Sequence, residues 1–360
     1  MWIIEKYYLS LPPEKMKLHV FNPEHDLALA ANLSNFTAPF AGRQLRADLG
    51  FIPAVWAGND DYILVDDVKQ AEEAYGQLCY ELGLKPKRFV EKSQLCRLYI
   101  NKVEPWGWDL ALRSFLQRYG VNAVPAEDEI ATIRDLSHRR QTVKLLSELQ
   151  MKGVIGVSQE AFSIGDVRQL QNFYRHVVVK APWSSSGRGV RFIENAIDCY
   201  QERWINNVIE KQGSAMVEPY YNKVMDFGME FESDGEGHVS YLGLSLFHTA
   251  NGAYTGNLIA IEEDKRKVIS SYISDKLVDC VKKKICDCLG EVFCGKYKGP
   301  FGVDMMVVAD NNGFLLHPCV EINLRRTMGH VALAIPPFAD GYKHVMEITK
   351  REDNFKVILS

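Results

Sequence analysis

The sequence predicts a mixed α/β (α+β) protein that begins with an open α/β sheet and continues into antiparallel strands. Three observations predict this fold class. Strand-like segments at 18–21 and 62–65 alternate with helical patterns at 72–82 and 109–119, as is typical of an open α/β sheet. The apolar run Val177–Lys180 has the character of a buried strand. Residues 302–329 contain two apolar runs around a turn-forming stretch, which predicts a β-hairpin.

These elements divide the chain into successive units. A chain of 360 residues with 47% hydrophobic content can form two or three compact units with substantial cores. The expected units are an N-terminal extension at 1–15, an α/β domain on the substrate side at 16–135, a small subdomain at 136–220, a larger subdomain at 221–345 and a C-terminal segment at 346–360.

Charge and hydropathy exclude several classes of function. A net charge of −4 gives no electrostatic reason to expect nucleic acid or an anionic membrane as a partner. The basic run at 282–284 lies in a helix-like stretch and is interpreted as a solvated face. No apolar stretch approaches the roughly 20 residues that a membrane-spanning helix needs.

The N-terminus and the cysteines indicate a cytoplasmic protein. Residues 1–15 contain Glu5, Lys6 and a proline pair and make a poor signal peptide, so we interpret them as an extension or as an upstream start before Met16. The eight cysteines show neither a secreted disulfide framework nor the paired spacing of a zinc site, and free thiols are expected.

The predicted hairpin carries a polar face that can bind a metal. Side chains alternate along a strand, so Glu321, Asn323 and Arg325 should point to one side. Asp304, on the other strand, should share that side. Two carboxylates and an amide are oxygen ligands suited to a hard cation, whereas a solvated polar strand face is the alternative interpretation.

The register of the hairpin follows from its tip. With residues 311–312 at the tip, pairing predicts Asp304 opposite Cys319 and diagonal to Glu321. Diagonal neighbours lie roughly 7–8 Å apart, a span that a cation can bridge. Pro318 interrupts the second strand and could introduce a bulge, which would change this register.

A second informative element is the loop that follows Lys180. Ser184, Ser185, Ser186, Gly187 and Gly189 allow the backbone to approach an anion closely, and the lysine can supply a positive charge to the same phosphates. The loop matches neither the Walker A nor the Rossmann pattern, and a tight turn is the alternative. An anion loop together with a carboxylate-rich hairpin supplies what Mg²⁺ bound to a phosphate substrate requires.

In this order and spacing, the motifs resemble those of the ATP-grasp superfamily over roughly residues 130–335. Residues 179–190 resemble its lysine-bearing strand and glycine-rich loop. Residues 216–220, with Glu218 and Tyr220, resemble the hinge that contacts adenine. Asp226 is similar in placement to the acidic residue that holds the ribose hydroxyls.

The resemblance implies a fold and two ligands. The fold would be a pre-ATP-grasp-like N-terminal domain followed by a two-subdomain ATP-grasp fold. ATP would bind between the subdomains, with Mg²⁺, or Mn²⁺ in its place, on Asp304, Glu321 and Asn323. The sequence departs from the family in one respect, because arginine stands where a further ATP-contacting lysine is expected. Arg140 is predicted to take that role, since its guanidinium can bind phosphate.

The resemblance also implies a reaction. A substrate carboxylate would be activated as an acyl phosphate and then joined to an amine or a thiol, with carbon–nitrogen bond formation favoured. Lys180 and Arg325 are the predicted catalytic residues, Arg325 because it can stabilise the acyl phosphate and the oxyanion. Two alternatives remain open: a kinase that phosphorylates a hydroxyl, and a nucleotide-binding regulatory protein without turnover.

The substrate side is less specified by the sequence. His25 follows the first strand, Arg43 lies on a helix-like segment, and Asn257 lies in a polar, glycine-punctuated segment; each is a candidate for substrate binding. A capped turn, a solvated helix face and a surface loop are the respective alternatives. Small-molecule or peptide carboxylates and amines are the expected partners, and the sequence leaves a homodimer open.

Overall fold

The computed structural model of the chain describes residues 16–184, 189–250, 253–338 and 343–360, so the predicted extension at 1–15 lies outside the described residues. Within these ranges the chain forms four sheets of four strands each. Across the same residues, no helix is both long and apolar enough to cross a bilayer. All eight cysteines are free thiols.

The N-terminal unit is an open parallel sheet with strand order β3-β2-β1-β4, as the sequence predicted. Its elements are β1 Lys17–Val20, α1 His25–Ala31, α2 Phe40–Leu49, a 3₁₀ turn Ile52–Val55, β2 Tyr62–Leu64, α3 Val68–Leu82, β3 Arg88–Val90, a 3₁₀ turn Lys92–Arg97, β4 Lys102–Pro105, α4 Leu110–Arg118 and α5 Glu127–Leu136. The strand order reverses beside β1, so the loops after β1 and β4 meet there, and Trp106 N–H donates to the Val20 carbonyl at 2.7 Å. Ligands of open α/β sheets bind at such a point.

The second unit is a small antiparallel sheet in the order β5-β8-β6-β7. Its elements are α6 Arg140–Glu148, β5 Gln159–Ala161, α7 Ile164–Tyr174, β6 Val177–Lys180, β7 Val190–Ile193, α8 Cys199–Gln212 and β8 Ala215–Pro219. All four residues of β6 are buried. Val177 and Val179 pack with Val167 of α7 and Ile205 of α8 in one core, which explains the continuous apolar run of this strand.

Capping residues set the ends of several helices. Asp67 accepts the Gln70 N–H at 2.9 Å before α3, which ends at Gly83 with a positive φ of 64°. Asp198 begins α8 in the same way, and Gly213 with φ 89° ends it. A side-chain acceptor satisfies the free N–H groups of the first turn, and glycine adopts the left-handed conformation of the last turn without steric cost.

The third unit contains the long antiparallel sheet β10-β9-β13-β14. Its elements are β9 Lys223–Ser233, β10 Val239–Ser245, α9 Glu262–Ser270, α10 Asp275–Phe293, β13 Gly299–Asp310, β14 Gly313–Asn323 and α11 Met328–Ala334. Phe227, Met229 and Phe231 of β9 pack into the core that includes Val281 of α10. Because side chains alternate along β9, its polar residues lie on the opposite face of the sheet.

A fourth sheet joins the C-terminal strands to the rest of the molecule. Its order is β11-β12-β15-β16, formed by β11 Phe247–Ala250, β12 Ala253–Ile259, β15 His344–Arg351 and β16 Asn354–Leu359. The boundary drawn at residue 345 from the sequence falls inside β15, which pairs with β12. Phe355 N–H donates to Asp48 Oδ2 of α2 at 2.8 Å, so the C-terminal strands also contact the N-terminal unit.

Candidate active site

A cavity of about 700 Å³ lies where these units meet. Strands β6, β7 and β8 line one side of it, and strands β9, β13 and β14 line another. The loops after β1 and β4, helix α2 and strand β16 complete its wall. Most of the side chains that the sequence predicts as functional line this cavity.

Lys180 and Glu218 form a buried ion pair in the cavity wall. Lys180 ends β6, and Glu218 lies on the neighbouring strand β8, where the antiparallel register brings both side chains to the same face. Lys180 Nζ lies 2.5 Å from Glu218 Oε2, and both side chains are buried. The ammonium group also lies 3.4 Å from the Val320 carbonyl of β14, so it connects the second unit to the third.

The cation that joins Lys180 in the cavity is Arg139. Its guanidinium donates to the Ala181 carbonyl, to Ser184 Oγ at 2.7 Å and to Glu321 Oε1 at 2.6 Å. The side chain is buried, and its Nε atom has no hydrogen-bond partner. Arg139 therefore links the lysine strand and the loop that follows it to the carboxylates of the hairpin.

Arg140, which the sequence predicted for this position, does not line the cavity. Its side chain is 39% exposed and pairs with Asp135. Arg139 immediately precedes α6 and Arg140 is its first residue, so the two side chains leave the helix in different directions. A buried guanidinium therefore lines the cavity one residue earlier than predicted.

The hairpin forms with the predicted tip, but its register changes before it reaches the polar residues. Asp310 pairs with Gly313, and Met306 pairs with His317, as the tip requires. The register then shifts between Met306 and Asp304, and Asp304 pairs directly with Glu321. The prediction that Asp304 lies opposite Cys319 is therefore wrong. The strand that contains Pro318 carries two additional residues here, consistent with a bulge at the proline.

The shift brings the metal-binding candidates closer together than predicted. Directly opposed side chains lie about 4.5–5.5 Å apart at Cβ, closer than a diagonal pair. Asn323 Nδ2 donates to Asp304 Oδ2 at 3.0 Å, and all three side chains line the cavity. The pKa of Asp304 is raised to about 7, first by burial and then by the carboxylates of Glu321 and Glu230.

This donor set fits a divalent cation that is completed by substrate oxygens. The concentrated negative charge around Asp304 is what a bound cation would neutralise, and Asn323 can turn its amide oxygen toward that cation. Among the described residues, no group of three or more His, Cys, Asp and Glu side chains could hold a metal by itself. Two carboxylates and an amide suit Mg²⁺, which binds few protein carboxylates and takes phosphate oxygens and waters as further ligands.

Arg325 shares the cavity face with Glu321 and Asn323, as predicted. Its guanidinium makes a bidentate pair with Asp26 of α1, with Nη2 at 2.8 Å from Oδ2 and Nε at 3.1 Å from both carboxylate oxygens. Burial alone would raise the pKa of Asp26, but the charge and hydrogen bonds of Arg325 outweigh it and lower that pKa. Arg326 points away from the cavity and lies over the Trp56 ring.

The remaining nucleotide-binding candidates lie around the same side of the cavity. Ser184, Tyr220 and Asp226 line it. Gly189 N-terminal to β7 fits closely, because a Cβ on it would lie 2.2 Å from Ser184 Cβ. Asp226 Oδ2 accepts hydrogen bonds from Lys223 Nζ at 2.5 Å and from Thr249 Oγ1 at 3.0 Å. The other loop candidates, Ser185, Ser186 and Gly187, lie outside the described residues.

Of the three predicted substrate residues, only Asn257 lines the cavity. It is fully buried on β12, in a segment that the sequence suggested might be a loop. His25 is the buried first residue of α1, with Nδ1 3.6 Å from Asp109 Oδ2, and a Cβ on Gly107 would lie 2.7 Å from its ring. Arg43 is exposed and donates to the Ala38 carbonyl at 2.8 Å. Neither His25 nor Arg43 therefore lines the cavity where the other candidates meet, and their binding of substrate stays a prediction.

Two cavity residues, Arg139 and Glu230, and the partner of a third, Asp26, were not found from the sequence. Helical spacing could have identified Arg139. It lies three positions before Thr142 and seven before Leu146, so it shares the buried face of α6 with both residues. Asp26 lies in the segment after β1, but its pairing with Arg325 joins residues 299 positions apart. Glu230 is one of several acidic residues on an alternating strand, and only the sheet register brings it to the cavity.

Comparisons with known proteins agree with this architecture. No protein-family model and no curated protein match the sequence. The fold is similar to that of N5-carboxyaminoimidazole synthetase from Staphylococcus aureus in complex with ADP, with a TM-score of 0.52 and 13% identity over 94% of this chain and 83% of that one. It is also similar to biotin carboxylase from Campylobacter jejuni in complex with an ATP analogue, with a TM-score of 0.51 and 13% identity over 95% of this chain and 73% of that one. Both are members of the ATP-grasp superfamily, and the chain has the ATP-grasp fold.

Proposed function

We propose that the ATP-grasp fold of this chain serves a ligase that uses Mg-ATP to join a carboxylate to an amine, with release of ADP and phosphate. One observation carries the proposal. A single cavity combines the cations Lys180 and Arg139 with the oxygen donors Asp304, Glu321 and Asn323. Such a combination suits the triphosphate of ATP together with a divalent cation.

In this proposal the nucleotide lies between the second and third units. Lys180 and Arg139 neutralise the phosphates, and Ser184 contacts them. Glu218 and Tyr220 contact the adenine, and Asp226 accepts hydrogen bonds from the ribose hydroxyls. The support is positional, because Lys180, Arg139, Ser184, Glu218, Tyr220 and Asp226 all line one cavity.

Asp304, Glu321 and Asn323 would hold Mg²⁺, and Mn²⁺ could take its place because it prefers the same oxygen ligands. The bound ion supplies positive charge that neutralises the phosphate oxygens and orients them. Arg139, which contacts Glu321, keeps this carboxylate in position beside the phosphates.

The reaction proceeds in two steps. A carboxylate oxygen of the first substrate attacks the γ-phosphorus, and the bond between that phosphorus and the oxygen of ADP breaks, which gives an acyl phosphate and ADP. The nitrogen of a neutral amine then attacks the acyl carbon. The bond from that carbon to the phosphate oxygen breaks, and the nitrogen loses a proton to the departing phosphate.

Arg325 acts on the acyl group that is transferred, and not on the nucleotide. Its guanidinium stabilises the acyl phosphate and the oxyanion that forms when the amine attacks. Asp26 fixes the guanidinium from the opposite side through the bidentate pair, so Asp26 is a positioning residue. The proposal includes small-molecule or peptide substrates and a cytoplasmic location.

The test is release of ADP and phosphate from Mg-ATP with a panel of carboxylates and amines. Release that requires one carboxylate and one amine together supports the ligase. A phosphorylated alcohol would instead identify a kinase, and tight ATP binding without turnover would identify a regulatory protein. A thioester product would show that the acceptor is a thiol and not an amine.

A further inference from the structure

Glu230 is a buried carboxylate in the cavity wall to which the proposed reaction gives no role. It lies on β9, paired with Gly302 of β13, and its side chain is 3% exposed. Its Oε2 atom is buried without a hydrogen-bond partner. A buried carboxylate oxygen that lacks a partner is costly unless a ligand supplies one.

Three glycines pack closely against this carboxylate, and their lack of a side chain leaves room for it in the cavity wall. A Cβ on Gly329 would lie 1.9 Å from Glu230 Oε1, and one on Gly302 would lie 2.6 Å from Oε2. A Cβ on Gly228 would lie 3.7 Å from Oε1 and 3.5 Å from Asp304 Oδ1. Glu230 therefore lies next to the predicted metal ligand Asp304 in a recess that side chains at these positions would fill.

A network of neutral polar groups forms the next part of the wall. Tyr254 Oη donates to Asn257 Oδ1 at 2.6 Å, and Asn257 Nδ2 donates to Ser245 Oγ at 2.8 Å. Ser245 Oγ would lie 2.5 Å from a Cβ on Gly329, so the network borders the same recess as Glu230. These contacts hold the recess in shape without adding a cation to it.

The basic side chains near Glu230 are those of His330 and Lys265. His330 Nδ1 lies 2.9 Å from Glu230 Oε2, but it accepts the Thr327 N–H at 3.1 Å and so offers that carboxylate no proton. Lys265 is buried, and its pKa is lowered by burial in spite of the charges of Glu262 and Glu230. The recess therefore favours a cationic ligand group over an anionic one.

An apolar lobe continues the cavity beyond this recess. It consists of Leu45, Met328, Ile348 and Phe355, which are half-buried, line the cavity and pack against the same hydrophobic cluster. Met328 precedes Gly329, so the lobe begins next to the recess. Apolar side chains that remain partly exposed in an enclosed lobe favour a ligand with an apolar group.

We propose that Glu230 and the apolar lobe form the acceptor site, which takes a primary amine that carries an aliphatic or aromatic group. The ammonium group binds the Glu230 carboxylate beside the metal-binding residues and gives one proton to it, which leaves the neutral amine that attacks the acyl carbon. The apolar group fills the lobe. This inference rests on the proposed function, because it assigns the second substrate of that reaction.

The proposal can be tested by binding alone, without knowledge of the carboxylate. Benzylammonium, methylammonium and benzyl alcohol are titrated by calorimetry into the full-length protein in the presence of Mg-ADP. Benzylammonium should bind about tenfold or more tightly than benzyl alcohol, which lacks the charge, and about tenfold or more tightly than methylammonium, which lacks the ring. Equal affinity for benzylammonium and either of the others would overturn the proposal.

Glu230→Gln locates the ammonium group, and Glu232→Gln is the matched control. Glu232 lies on the same strand two residues further on, but it is exposed and does not line the cavity. Glu230→Gln should weaken benzylammonium binding about tenfold or more and leave benzyl alcohol unchanged, whereas Glu232→Gln should change neither. Unchanged binding to Glu230→Gln, or equal losses in both variants, would contradict the assignment.

The wild-type comparison of the three probes decides the question even if Glu230→Gln does not fold. The inference and the proposed function also fail in different ways. If carboxylate and amine together trigger ADP release but the probes bind without the expected order, only the acceptor site is wrong. If the probes bind as expected and no carboxylate and amine pair gives ADP release, the ligase proposal is wrong.

Discussion

Replacing Arg139 by methionine tests which arginine of the proposed nucleotide site binds the phosphates. The sequence predicted Arg140, whereas Arg139 is the one that lines the cavity. Arg139→Met removes the guanidinium that contacts Ala181, Ser184 and Glu321 and retains a side chain of similar length. Arg140→Met is the matched control, because it removes the same charge from the next residue, which is half-exposed and pairs with Asp135.

The structure gives the expected size of both effects. A hydrogen bond to a charged group contributes about 1.5–3 kcal/mol, so loss of the cation beside the phosphates should weaken Mg-ATP binding about 10- to 150-fold. Loss of the contact to Glu321 should lower the free energy of unfolding by a similar amount, about 1.5–3 kcal/mol. The half-exposed ion pair of Arg140 with Asp135 contributes only about 0–1 kcal/mol. The affinity of the Arg140→Met control for Mg-ATP should therefore stay within about fivefold of that of the wild type.

The assay is isothermal titration of Mg-ATP into each variant, with thermal unfolding to show that both variants are folded. The reasoning requires a large loss for Arg139→Met and a small one for Arg140→Met. If Arg140→Met weakens Mg-ATP binding as much as Arg139→Met does, the assignment of the phosphate-binding cation to Arg139 is refuted.

Three further predictions concern the chemistry, the metal and the stability of the fold. Arg325→Ala should lower kcat by about 100- to 1,000-fold, which corresponds to about 2.7–4 kcal/mol, and leave ATP affinity nearly unchanged; equal losses of binding and turnover in steady-state kinetics would refute its role. Asp304→Asn should raise the Mg²⁺ concentration needed for half-maximal nucleotide binding about tenfold or more, with no change in binding measured in EDTA. Burial, and then the charge of Lys180, lowers the pKa of His317 to about 3 from 6.5, so between these values the unfolded chain binds an additional proton and stability is lost as the pH falls. From pH 7 to pH 5 His317 should contribute about 2 kcal/mol to the loss measured in denaturant titrations, and His317→Phe should reduce the total loss by that amount.

The sequence predicts the parts of this molecule that depend on local patterns and on motif order. The open sheet, the buried lysine strand and the tip of the hairpin follow from residues close together in the chain, and they are confirmed. The register at Asp304 does not follow, because it depends on a shift beside Pro318 that alternation alone does not specify.

Long-range packing determines what the sequence could not predict. The C-terminal strand β15 pairs with β12, which lies about ninety residues earlier in the chain. Both strands are short, and their polar and apolar residues alternate too weakly to predict this pairing. The pair between Arg325 and Asp26 and the recess around Glu230 likewise depend on contacts between separate units. Because such contacts bring Glu230 to the cavity wall, alternation along the chain does not predict Glu230 as a site residue.

The central claim is that the substrate carboxylate attacks ATP to form an acyl phosphate. The most direct measurement uses a carboxylate labelled with ¹⁸O, once the panel has identified the substrate, and mass spectrometry of the phosphate released in the complete reaction. The account predicts that one ¹⁸O atom is transferred to phosphate for each amide that forms, because the carbon–oxygen bond of the acyl phosphate breaks. The other labelled oxygen stays in the amide, and phosphate without label would contradict the account.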